Sequence, residues 1–424
     1  MRAAPSIDRD RVAELCLGMT SIPSPTGNER PVVEWLAGRI DAHGADVRVS
    51  AFEPNRANLV ATRFGTGGGP SLLLYSPIDT AFGSGVAAPP GSPPNPAFAG
   101  DAHREGDWIV GPGAENPKGF ATAALAAFEA LCAGPPTRGD VILALTAGGM
   151  LAPGANGIAD GLGRGCREFL ATEARPDASL ILKPGDAVSV AEAGIGIFRI
   201  RVTGDLAYTG SRHRTSPRSA LRDAATLAAR LEAWFPAYAD ATETATVRPQ
   251  GAVTAIHGGW PSEPAFLPEE CDVWVDLRIA PGMSLVDATA LLSETVARSS
   301  EDISSDVDVE LIGGFPGAET PRDAWIVRAA VRAWEERTGR PHVEATGTSG
   351  VTDASIIRAA GIPTARIGMP AAQGDPPYRG FSMSVVSIES MTVLATTVAA
   401  IATDVLARDR SELPESPPAT GVPT

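Results

Sequence analysis

Side chains that commonly carry chemistry are thinly spread through this chain. Its five histidines are His43, His103, His213, His257 and His342. No two share the i, i+4 spacing that puts two imidazoles on one helix face, so a helical His-x-x-x-His metal pair is excluded. The four cysteines, Cys16, Cys132, Cys166 and Cys271, form no Cys-x-x-Cys pair and read as buried thiols in a reducing cytosol. No Gly-x-Ser-x-Gly elbow is present to raise a nucleophilic serine. The Gly-rich run Gly65–Gly69 leads into an apolar strand rather than a helix, so it is no phosphate-binding P-loop. Arg212-His213-Arg214 is a local cationic patch that fits either a solvated loop or an anion contact.

The bulk numbers narrow the classes further. A chain of 424 residues suits two domains of common size. With 44% hydrophobic and 20% charged residues it reads as globular. Its net charge of −15 argues against nucleic acid or an anionic membrane as partner, while leaving room for a cationic pocket that takes a small anion. No uninterrupted apolar run approaches the roughly 18 residues that cross a bilayer. The N-terminal MRAAPSIDRDRVAEL has no apolar stretch of the signal-peptide kind, and the expected location is cytoplasmic.

Helix and strand periods give the scaffold. Residues 8–19, with an Asp cap, and 29–43, with Val32, Val33, Leu36 and Ile40 on one face, read as helices flanking a Pro-rich turn at 22–27. Short apolar runs at 58–63, 71–75 and 140–146 read as strands, and the Ala-rich 119–132 as a helix. The Pro- and Gly-rich 86–107 reads as a long surface loop. The alternation predicts an α/β domain, a mostly parallel sheet sandwiched by helices. From about Ala193 the texture changes to strand 198–204, helix 219–234, strands 252–257 and 271–279, helix 284–299 and strand 307–312. That β-α-β-β-α-β order predicts a ferredoxin-like α+β insertion. Helices at 325–338 and 354–360, a strand at 364–367 and a last helix at about 387–408 return to the first texture. The expected domains are 1–193 plus 314–408, an insertion at 194–313, and a disordered polar tail at 409–424.

The order of motifs on this scaffold resembles one family over roughly residues 8–407. These are Leu72-Leu73-Leu74 before Asp79-Thr80, then Trp108 to Ala114 before Asn116 and Lys118-Gly119. Ile256-His257-Gly258-Gly259, Val275-Asp276-Leu277-Arg278 before Pro281-Gly282, Thr352-Asp353-Ala354 and Gly361-Ile362-Pro363 follow. Together they are similar to the co-catalytic zinc peptidases that include aminoacylase, acetylornithine deacetylase and succinyl-diaminopimelate desuccinylase. The resemblance implies a dimerisation or lid role for the insertion, and places the metal ligands at Pro77, Asn116, Met150, Lys183 and about Gly380, with the general base at Gly149. A proline and a glycine offer zinc no side-chain donor, a thioether is a weak one and an ammonium repels it. No metal and no other cofactor is therefore expected.

Lys183 then stands where a zinc-binding carboxylate would, and its charge keeps the local field positive without zinc. It is the first candidate catalytic residue, as oxyanion stabiliser, base or nucleophile, against the plainer reading of a surface lysine. Tyr208 takes the position of the insertion's substrate-binding His, and Asp79 is retained without a His to orient. These two complete the catalytic candidates, although Asp79 also suits a backbone-capping role. Arg278, Asn116, Lys118 and His213 are the candidate substrate contacts, and Arg278 equally suits a structural salt bridge. The expected function is metal-independent hydrolysis of an amide, imide or lactam C–N bond in a small anionic substrate. A non-catalytic protein that binds a small anion or a partner subunit is the alternative, and a lyase or isomerase acting through Lys183 a further one. The expected assembly is a homodimer through the insertion.

Overall fold

The computed structural model describes residues 5–81, 101–150, 161–173, 175–377 and 382–413. The chain divides into two compact units. The larger takes the residues up to Val190, Thr320–Ala345 and those from Thr352 on; the smaller takes Ala191–Glu319 and Thr346–Val351.

The larger unit is built on a six-stranded sheet. Its strands lie in the order Asp46–Glu53, Arg56–Arg63, Val141–Thr146, Leu72–Pro77, Ala178–Leu182 and Thr364–Ile367. The last four run parallel, while Arg56–Arg63 pairs antiparallel with both Asp46–Glu53 and Val141–Thr146, so the sheet is mixed. Every residue of Leu72–Pro77, Val141–Thr146 and Ala178–Leu182 is buried, as strands covered on both faces require. Asp8 caps the helix Arg9–Ser21, its carboxylate accepting from the N–H groups of Asp10 and Arg11. The helix Ile388–Leu406 is long and apolar enough, by length and composition, to cross a membrane. Most of its residues, Leu394, Val398, Ile401 and Val405 among them, are buried, and it packs against the helices Phe120–Ala133 and Trp325–Thr338 as a core element.

Several sequence expectations need correction. The helix expected over 29–43 spans only Arg30–Ala37 and stops at Gly38, after which the N–H groups of Arg39 and Ile40 both turn back to the Leu36 carbonyl. Asp46–Glu53, Ala178–Leu182 and the helix Arg164–Thr172 were not anticipated. In the expected loop 86–107, His103–Glu105 forms a strand that turns at Gly106 to pair with Trp108–Val110; residues 82–100 lie outside the described residues. The tail does not lose order at Asp409. That carboxylate pairs with Arg138 at 2.6 Å, and the Arg410 N–H donates to the Gly68 carbonyl; residues 414–424 lie outside the described residues.

The smaller unit carries a four-stranded antiparallel sheet in the order Gly251–Gly258, Glu270–Ile279, Gly194–Thr203 and Asp306–Phe315. The helices Ala220–Thr242 and Leu285–Ser299 connect them in the expected ferredoxin-like order. Period-2 burial puts Phe198, Ile200, Val202, Val273, Val275 and Leu277 on the face that meets Leu227, Leu231, Leu292 and Val296 of the helices. Ser284 and Asp287 form a reciprocal capping box that starts the second helix.

Candidate functional site

Parallel pairing brings three of the motifs side by side. Pro77 is in register with Thr146, so the turn Gly148–Met150 begins beside it. The strand Ala178–Leu182 delivers Lys183, whose N–H donates to the Ile367 carbonyl at 3.3 Å. In an open α/β sheet the carboxyl ends of parallel strands are where ligands bind.

Asp79 is fully buried and accepts three hydrogen bonds, from Gly149 N at 2.8 Å, Met150 N at 3.0 Å and Thr26 Oγ1 at 2.6 Å. This candidate catalytic residue thus caps backbone groups and fixes the turn. Gly149 has no room for a side chain. A Cβ there would stand 2.8 Å from Pro77 Cγ and 2.9 Å from Asp353 Oδ2, and closer still to Pro77 Cβ. Below this turn Thr146 donates to the Tyr75 phenol at 2.6 Å, and the phenol donates to Asp353 Oδ2 at 2.6 Å. Burial and the Asp353 charge push the Tyr75 phenol well above its usual range, so it stays a donor at any ordinary pH.

Lys183 and Asn116 meet. The lysine Nζ donates to Asn116 Oδ1 at 3.0 Å, with Lys183 4% and Asn116 9% exposed, which overturns the surface-lysine reading. Asn116 sits in a tight turn, Ala114–Gly119, that leads into the helix Phe120–Ala133. Lys118, expected to touch substrate, is 1% exposed and spends its amine on the Ile22 carbonyl at 2.8 Å. Burial pushes its pKa down to about 7, against a smaller upward push from Cys16. A buried ion pair, Arg56 with Glu29, lies against Gly148 and was missed in the sequence. Burial, and next the Asp79 charge, raise the Glu29 carboxyl.

The remaining candidates belong to the smaller unit. Tyr208 is 56% exposed and rests its ring on Phe266, with centroids 5.7 Å apart. His213 is exposed, with Nδ1 3.0 Å from the Gly210 carbonyl. Arg278 forks onto Asp276, at 2.7 and 3.0 Å, and donates to the Ser349 carbonyl at 3.3 Å. Position 380 lies outside the described residues. Among the described residues, no group of three or more His, Cys, Asp or Glu side chains is placed to hold a metal ion.

A cavity of about 170 Å³ in the larger unit is lined by Trp108, Glu115, Phe120, Pro184, Gly185 and Met369, among others. Glu115 directly precedes Asn116 in sequence, and Pro184 directly follows Lys183.

The sequence profile of the peptidase family M20/M25/M40 matches residues 77–403. The chain belongs to this family. Its fold matches solved members at low identity. The dipeptidase Dug1p of Saccharomyces cerevisiae aligns with TM-score 0.69 and 12% identity, over 94% of this chain and 98% of that one. A tripeptidase from Staphylococcus aureus aligns with TM-score 0.66 and 19% identity, over 95% and 100%. An amidase of the hydantoinase/carbamoylase family from Burkholderia multivorans aligns with TM-score 0.60 and 15% identity, over 95% and 99%. The chain therefore carries the M20 hydrolase scaffold, with a second unit of the ferredoxin-like kind.

Two outcomes follow from the buried groups. Asp79→Ala leaves buried donors unpaired and should cost about 2–4 kcal/mol in urea denaturation; a catalytic Asp79 would instead lose turnover with stability intact. For Lys118 the folded pKa lies below the unfolded one, so between about pH 7 and 10.5 the unfolded chain binds more protons. The stability of the wild type relative to Lys118→Met should be flat below pH 7 and should climb by up to about 1.4 kcal/mol per pH unit above it. A difference that stays flat from pH 6 to 9 would show an amine that titrates normally.

Proposed function

We propose that this M20 member hydrolyses a C–N bond without the zinc pair, in an amide, imide or lactam of a small anionic molecule. The observation that carries this reading is the buried contact between Lys183 Nζ and Asn116 Oδ1, 3.0 Å long, at the carboxyl end of a parallel strand. The residues at the positions that the resemblance assigns do not fit zinc: Pro77 and Gly149 bring no donor, and Lys183 brings a positive charge. In hydrolysis water adds to the carbonyl carbon, the C–N bond breaks and the nitrogen leaves with a proton. Lys183 supplies a fixed charge for the oxygen that becomes negative, held in place by Asn116, and a desolvated charge is worth more there than in water. Tyr208 is the smaller unit's candidate donor. Arg278 is largely committed to Asp276, and His213 keeps an exposed ring for an anionic group.

A second reading rests on Gly149. The family's base position cannot take a side chain here, which favours a protein that binds a small anion without turning it over.

The deciding experiment uses chelator-treated protein and a panel of cyclic amides and N-acyl amino acids. Turnover should survive chelation, with well under one equivalent of zinc, manganese or cobalt by elemental analysis. Lys183→Met should then lower turnover by about 30- to 1000-fold with the thermal melt held or raised. Two tightly bound metals per chain, or full activity in Lys183→Met, would overturn the proposal; ligand binding with no turnover would select the second reading.

We further propose a homodimer through the smaller unit. Its strand Gly251–Gly258 is a sheet edge, and Leu206, Tyr208, Ile256, Trp260 and Phe266 of that unit are exposed. Light scattering behind size exclusion should give twice the chain mass at micromolar concentration; a monomer would refute it.

A further inference from the structure

We infer that His342 positions the loop 184–188, which leaves Lys183 and walls the cavity, and that a proton on the His342 ring releases it. The inference rests on the reading above that Lys183 carries the function, and it adds a pH-dependent hold on that residue's loop.

The loop is an excursion between two fixed ends. Lys183 N–H donates to the Ile367 carbonyl at 3.3 Å, and Ser189 exchanges both backbone hydrogen bonds with Arg366, each 2.9 Å long. Both ends therefore lean on one strand, Thr364–Ile367, and what lies between must be held from elsewhere. Pro184 and Gly185, in that stretch, line the cavity. Among the described residues, the backbone of 184–188 makes a single hydrogen bond, from Val188 N–H to His342 Nε2 at 3.0 Å. A side-chain tie joins it, because Asp186 pairs with Arg337 of the helix Trp325–Thr338.

The direction of that hydrogen bond carries the argument. A backbone N–H can only donate, so His342 Nε2 is the bare, accepting nitrogen and Nδ1 holds the ring proton. A second proton can go only to Nε2, and it turns the acceptor into a donor that faces a donor. Val188 is 1% exposed, so water cannot readily take over its N–H. Either the imidazolium swings away or the loop moves, and the bond is lost in both cases. His342 is itself half-buried, which keeps solvent within reach of the ring. Its ring meets Trp334 edge-on, with centroids 5.1 Å apart, and its backbone N–H donates to Glu335 Oε1 at 2.9 Å. The charged groups on the elements around it are Glu335 and Arg337 of the helix, Arg340 after it and Asp186 in the loop, with Glu344 and its partner Arg322 further along. Arg337 is engaged by Asp186 and Glu344 by Arg322, so the hydrogen-bond partner of the ring is the Val188 N–H and none of these carboxylates.

The test reads the loop before it reads activity, on the full chain. Long-range nitrogen–proton NMR at about pH 8 should show His342, assigned by its absence in His342→Gln, as the Nδ1–H tautomer. Between about pH 8 and about pH 5, hydrogen exchange over 184–190 should rise by roughly 10- to 100-fold beyond the intrinsic pH effect. His342→Gln keeps an acceptor near the Nε2 position and cannot take a proton, so its exchange should stay flat. His342→Phe keeps a ring against Trp334 without an acceptor, so its loop should exchange fast at both pH values. If His342→Phe does not fold, the contrast between wild type and His342→Gln decides. With the substrate panel above, the ratio of wild-type to His342→Gln turnover should fall about 10-fold over the same range, since groups that both proteins share cancel. Where the panel is bound without turnover, the same ratio is read from affinity. An Nε2–H tautomer at about pH 8, or exchange that rises equally in His342→Gln, would overturn the inference. A ratio that holds steady while the loop opens would overturn it too. Full activity in Lys183→Met would instead remove the hydrolase reading, and the exchange results would still decide the loop.

Discussion

The arrangement at the strand ends depends on the buried carboxylate of Asp79, which sits just past the strand Leu72–Pro77 and collects donors from Thr26 and from the backbone of Gly149 and Met150. A carboxylate removed from water is costly unless its lone pairs are used, and three donors use them well. The bonds tie the N-terminal turn, one central strand and the turn after its neighbour into a single block. Once that block is set, Gly149 lies against the Pro77 ring with no space for a Cβ. Proline at 77 and glycine at 149 are therefore parts of one packing solution. A side chain added at 149 would meet the Pro77 ring and the Asp353 carboxylate.

Charge is redistributed in step with this packing. Lys183 is held almost out of solvent by Asn116, and the Arg56–Glu29 pair is buried close to the same turn. Removing one partner from such a pair is far costlier than exchanging both, so these residues constrain one another as well as any ligand. Asp353, tied to Tyr75, adds a further carboxylate beneath the turn. The polar groups below the strand ends form a braced floor, and Lys183 is the cation within it whose position invites chemistry.

Much of the scaffold was legible in the sequence because its core elements are strongly periodic. The smaller unit's alternating strands and long amphipathic helices announced themselves, and so did Trp325–Thr338. Asp46–Glu53 escaped because it lies at the sheet edge with no residue buried, where no alternation of apolar residues is needed. Ala178–Leu182 escaped because a five-residue apolar run gives period too little length to register. At the site, motif order marked Lys183 and Asn116, but no pattern could tell that they touch. Lys118 looked like a ligand-facing group because sequence does not reveal that a backbone carbonyl will claim its charge first, whereas for Asp79 a backbone-capping role stood beside the catalytic one from the start.

The sheet's parallel pairing of Ala178–Leu182 with Thr364–Ile367 joins segments on either side of the insertion. A ribosome adds about 5–20 residues per second, so the roughly 180 residues between them take on the order of 10–40 s to emerge. Throughout that interval the strand ending at Leu182 has an unpaired edge on a nascent chain, while the 191–319 segment is being made and can begin to fold. Translation speed across the insertion, and any chaperone that shields that edge, therefore bear directly on how much of this protein reaches its native state.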